Sequence, residues 1–117
     1  MSTWEELEIW WCDLAHDEVH KIINKAQEYG GMHRAQDLLE IGRQLVIAGV
    51  RVPGDQLEAP SDAQLAELGC YFYLIGKMAR WTAAVQEGRE VSDDTLHDIG
   101  VYSRMVQRIR HSGGWPV

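Results

Sequence analysis

The chain is poor in the residues that break, staple or extend a fold. Three prolines and two cysteines occur in 117 residues. With no Ser/Gly-rich tract and no block of like charge, neither a long linker nor a long disordered tail is expected. Cys12 and Cys70 form no C-x-x-C pair and no metal quartet. Each sits within an apolar helical pattern and reads as a small buried hydrophobe. Strand signals are nearly absent, because "VIAGVRV" at 46–52 is too brief to make a sheet. The longest apolar run, "LGCYFYLIGKMARWTAAVQ" at 68–86, carries Lys77 and Arg80 in its middle. A lipid-facing charge there is costly, so the run is expected to be a buried central helix and not a membrane span. A basic excess is also missing: the net charge is −7, which argues against nucleic-acid binding through general phosphate contacts. Near the start, Trp4, Glu5, Glu6 and Glu8 stand where a basic-then-apolar leader would be, so a reducing, cytoplasmic setting is the expectation.

What is present suits one compact core. At 45% hydrophobic and 25% charged residues over 117 positions, the chain is expected to be a single domain spanning 1–117. Four helices can be read. Thr3 and Glu6 form a capping box for the first, whose residues Leu7, Trp10, Trp11, Leu14, Val19, Ile22, Ile23 and Ala26 recur at helical spacing up to Gly30-Gly31, with room for a break near Asp17. The second runs from about Met32 to Ala48 with Ala35, Leu38, Leu39, Gly42, Leu45 and Val46 inward. After a loop over 50–60 with a Pro53-Gly54 turn, Ser61 and Gln64 cap the third, which ends near Glu87 before Gly88. Its Gly69, Gly76 and Ala83, seven apart, leave a stripe along which a neighbouring helix can approach. The fourth is capped by Ser92 or Asp93 and runs to about Arg110. The expected architecture is an all-α, antiparallel four-helix bundle, completed by a second copy of itself. Adjacent Trp10 and Trp11 cannot both enter one small core, so one of them, with Trp4 or Trp115, is expected to meet a partner subunit in a homo-oligomer.

The chemistry concentrates on the last two helices. In "SDDTLHDIGVY" at 92–102, Asp94 and Asp98 are four apart and border Val101, Tyr102 and Met105. An acid among apolar neighbours needs a pair, hydrogen bonds or a cation, and two on one face can share a divalent metal. Lys77 and Arg80, the only charges between Glu67 and Glu87, are three apart on the third helix. Either the two pairs neutralise each other in a salt-bridge network that sets helix register, or they flank a pocket for an anion such as phosphate. "HDEVH" at 16–20 places His16 and His20 at zinc-protease spacing, but with Asp17 in the catalytic position and no third ligand these read as surface histidines. Arg104, Arg108, Arg110 and His111 suit a helix C-terminus through its dipole.

"KAQEYG" (25–30), "KMAR" (77–80) and "DDTLHDIGVYSRM" (93–105) together resemble the ordered signature of small phage-encoded all-α proteins related to the MazG-like nucleotide pyrophosphohydrolases. The resemblance spans about 19–108. It implies a nucleotide ligand, Mg²⁺ held by carboxylates and hydrolysis releasing pyrophosphate. It implies that Asp94 and Asp98 are catalytic and metal-side residues, and that Lys77 and Arg80 bind phosphates. Tyr29 and Gly30 would match the family's turn, and Tyr29 and Tyr102 would lie on the substrate side. The family's Glu-Glu-x-x-Glu and Glu-x-x-Asp clusters are replaced by the nearest substitute, Asp37 with Glu40 on the second helix, and the Gly-Tyr pair is split as Gly100-Val101-Tyr102. Asp37 and Glu40 also read as a solvated face beside Arg34 and Arg43. The rival reading is a non-enzymatic helical adaptor whose tryptophans bind another protein.

Overall fold

The computed structural model describes the backbone of residues 3–28, 31–52 and 59–112, and the side chains within these ranges except 25–36 and 112. Tyr29, Gly30, the Pro53-Gly54 turn and the 113–117 tail with Trp115 lie outside the described residues. The described chain is helical, with no strand: α1 (Trp4–Glu28), α2 (Gly31–Ile47), α3 (Asp62–Gln86) and α4 (Asp93–Ser112).

Local chemistry sets most helix ends. Thr3 Oγ1 accepts from the Glu6 backbone N–H at 3.1 Å, and the Glu6 carboxylate accepts from the Thr3 N–H at 2.7 Å, which satisfies two donors that α1 leaves open. Ser61 and Gln64 do the same for α3. Ser92 Oγ accepts from the Thr95 N–H at 3.2 Å and bonds its hydroxyl at 3.0 Å, so the buried Thr95 is satisfied. At the other ends, Gly49 (φ +96°) and Gly88 (φ +70°) adopt the left-handed conformation. The Val50 and Gly49 amides reach back to Leu45 and Val46, and the Arg89 and Gly88 amides to Ala84 and Val85. These are paired Schellman closures. No break occurs at Asp17: α1 is continuous.

The core lies among α2, α3 and α4. Leu38, Ala66, Cys70, Tyr102, Met105 and Ile109 are buried together, flanked by Leu39, Tyr73, Leu74 and Val106. The helices alternate in direction. Gly42 meets Leu65 and Gly69 meets Leu38, so residue numbers rise on α2 as they fall on α3. The pairs Tyr73 with Tyr102 and Glu67 with Arg110 do the same for α3 and α4. At Gly42 and Gly69 a methyl group would sit less than 3.0 Å from backbone atoms of the other helix. Backbone thus rests on backbone at this crossing. Of the two glycines in the expected small-residue stripe on α3, Gly69 is used and Gly76 is not, since nothing lies within 4 Å of a Cβ built on Gly76.

α1 departs from the expected bundle. Every residue from Thr3 to Asp17 is exposed, including Leu7 and Leu14 of the apolar helical pattern and both Trp10 and Trp11, of which only one was expected outside the core. Cys12 is exposed, against expectation, whereas Cys70 is fully buried as expected. Only Glu18 and Ile22 of α1 are half-buried among its described side chains. Amphipathic spacing marks a helix that wants cover without saying what provides it. The radius of gyration, 16.5 Å, exceeds the roughly 13 Å of a compact chain this long, and the molecule measures 52 × 35 × 28 Å. No described helix is long and apolar enough to cross a membrane.

Candidate functional site

The α3–α4 seam carries the charged residues singled out by the sequence. Lys77 lies on the side of α3 that faces α4, where its stem is covered and its ammonium group needs a partner. Asp98 provides one: Lys77 Nζ stands 2.9 Å from Asp98 Oδ2, with side chains 16% and 37% exposed. One turn further along α3 is Arg80, and one turn back along α4 is Asp94. The helices are antiparallel, so both displacements point toward the same end of the seam. Arg80 and Asp94 are exposed there. Asp94 does not enter the buried side of its helix, as had been expected. It sits on the rim beside Asp98, while Thr95, Tyr102 and Met105 supply the buried face.

His97, next to Asp98 on α4, carries a further pair. His97 Nδ1 lies 3.2 Å from Glu18 Oε1 of α1, both half-buried, which is an ion pair when the imidazole is protonated. Glu18 has a legible signal in retrospect. It interrupts the stripe Leu14, Glu18, Ile22, and an acid inside an apolar stripe needs a partner.

Tyr102, expected on the substrate side, is buried instead. Its ring stacks on Tyr73 with centroids 5.3 Å apart and planes 10° from parallel, so it fastens α3 to α4. The other end of the seam is closed by Arg110, whose Nη2 donates to Glu67 Oε2 at 3.0 Å. The hydrogen bond from Arg110 to Glu67 raises the guanidinium pKa further.

The four-acid metal set expected from Asp94, Asp98, Asp37 and Glu40 does not assemble. Among the described residues no group of three or more His, Cys, Asp or Glu is placed to hold a metal ion. Asp37 and Glu40 are exposed on α2. Glu40 accepts from Gln44 at 3.0 Å and pairs with Arg43 at 3.5 Å, and these hold its carboxyl below the usual range, Gln44 first. That is the solvated-face alternative. The i, i+4 acids Asp94 and Asp98 remain. Two hard oxygen donors suit a Mg²⁺ ion that keeps several waters and takes phosphate oxygens, though not an all-protein cage. His16 and His20 are exposed with rings 4.5 Å apart, as surface histidines were expected to be.

No protein-family model, curated protein or solved structure matches this chain.

Proposed function

We propose that this is a MazG-like nucleotide-binding protein whose site is the open end of the α3–α4 seam, and that it acts as a Mg²⁺-dependent nucleoside triphosphate pyrophosphohydrolase. The observation that carries the reading is the half-buried Lys77–Asp98 pair with exposed Arg80 and Asp94 one turn beyond it toward the same end of the seam. The second cation and the second acid at the open end are what this reading adds to a pair that sets helix register. Arg80 binds phosphate oxygens through its planar fork. Lys77 is fixed in place by Asp98 and adds positive charge where the phosphates would lie, without reorganising as the reaction proceeds. Asp94 and Asp98 would hold Mg²⁺, which when bound supplies charge to the phosphate oxygens and lowers the pKa of a coordinated water. In the net reaction a water oxygen bonds to the α-phosphorus, the bond from that phosphorus to the α–β bridging oxygen breaks, pyrophosphate leaves and one proton is released. The acids are fewer than in the family signature, which bears on turnover more than on binding.

Melting temperature and pyrophosphate release, followed over a panel of nucleoside triphosphates with and without Mg²⁺, test the proposal. A nucleotide shift that needs magnesium is expected, lost in Asp98→Asn and in the exposed Asp94→Asn. The Asp94→Asn protein keeps the Lys77–Asp98 pair, so its loss of response cannot be blamed on misfolding. A flat response to every nucleotide favours the adaptor reading, to which the exposed tryptophans of α1 already lend weight.

A further inference from the structure

α1 and α3 each present an uncovered apolar seam with coiled-coil spacing. On α1 the seam is Trp4, Leu7, Trp11 and Leu14, a 3-4-3 rhythm whose members are all exposed. On α3 it is Tyr71, Ile75, Met78, Thr82 and Val85, a 4-3-4-3 rhythm, again exposed, with Gly76 open beside it. We infer that a second copy of this chain covers both, α1 of each protomer lying along α3 of the other in a reciprocal, two-fold dimer.

Three observations select this occupant. The first is area. On the two seams Trp4, Trp11 and Tyr71 are 86, 60 and 56% exposed, and Leu7, Leu14, Ile75, Met78 and Val85 are exposed beside them. At roughly 150–250 Å² per aromatic side chain the three rings alone present about 300–500 Å², a large part of the roughly 800 Å² that each partner contributes to a standard interface. The second is charge. Between Thr3 and His20 the chain has Glu5, Glu6, Glu8, Asp13, Asp17 and Glu18 and no Lys or Arg, whereas α3 from Leu68 to Gln86 has no acid and offers the exposed Arg80, Lys77 being paired with Asp98. α1 therefore repels another α1 and attracts α3. The same acidic flank disfavours an anionic lipid surface. The third is continuity. The α1 stripe that is half-covered at Glu18 and Ile22 runs on, uncovered, to Trp4. One helix is thus anchored at one end and extended toward a neighbour at the other. An isolated helical half this short gains little stability by itself.

The full chain, sedimented over a concentration series, gives the test. The wild type is expected at twice 13.3 kDa. Leu7→Glu/Trp11→Glu on α1 and Ile75→Glu/Met78→Glu on α3 alter exposed positions, so each variant should keep the helical circular dichroism of the wild type. Each alone is expected as a monomer, with association weakened roughly 30-fold or more per anchor. An equal mixture of the two variants keeps one intact α1–α3 contact, and at the highest soluble concentration it is expected to form a mixed dimer. A wild type that stays monomeric would overturn the inference and leave these seams to another partner. So would either variant remaining dimeric alone, since like helices would then be pairing, or a mixture that stays monomeric.

Discussion

The α2–α3 crossing and the free half of α1 are built from the same kind of sequence and meet opposite fates. α1 and α2 are both amphipathic, and α1 and α3 open with capping boxes. At the crossing, Gly42 and Gly69 let backbone rest on backbone and Leu38 is fully buried. α1 has no glycine between Trp4 and Glu28, and its bulky residues from Trp4 to Leu14 stay in solvent. Hydrophobic periodicity orients a helix, whereas small residues at matched positions permit two helices to approach closely enough to exclude water.

The contrast can be broken most forcefully in the core. Leu38→Ala should cost about 2–5 kcal/mol, because a fully buried side chain leaves a cavity. Leu14→Ala on α1 should cost less than about 1 kcal/mol in dilute solution. Chemical denaturation of the two variants side by side measures the difference. Next in size is a matched glycine pair. Gly42→Ala forces a methyl group into the backbone of Leu65 and should destabilise by about 1–3 kcal/mol. Gly76→Ala meets open space on the same bundle and should stabilise by up to about 1 kcal/mol through helix propensity. Opposite signs in thermal melts are the expected result.

The two capping boxes sharpen the comparison further. Ser61→Ala should lower global stability by about 1 kcal/mol, since α3 belongs to the cooperative core. Thr3→Ala should leave the global melt unchanged and speed amide hydrogen exchange only in the first turn of α1. The smallest effect concerns Glu40. Its pKa is depressed by Gln44 and then Arg43, so its stabilising contribution is present above the ordinary Glu value and is lost as pH falls through the lower, folded value. Because the group is exposed, global stability should barely register this. A carboxylate NMR titration should find Glu40 titrating low, and Gln44→Ala should bring it back toward normal.

Much of the site was legible for a related reason. Lys77 and Asp98 are charges in apolar surroundings on consecutive helices, and an unpaired charge there would be too costly to keep. Their pairing follows from sequence plus antiparallel connectivity. Asp94 was misplaced because its position on the helical wheel is close to that of Asp98. The difference between rim and interior is set by where α4 begins relative to α3, which no single-helix pattern encodes. Tyr102 could not be matched to its stacking partner for the converse reason. Its partner Tyr73 lies 29 residues away, and only the packed seam brings the two rings together.

By itself, then, the amino-acid order determined the helices, their caps, their glycine closures and the need for a Lys77 partner, because each of these depends on neighbours within a turn or on the energetic penalty of a bare charge. The tertiary structure alone decided which apolar stripes are buried in this chain and which are left uncovered. Burial depends on what stands opposite a stripe across the helix–helix gap, and that is a property of the assembled backbone.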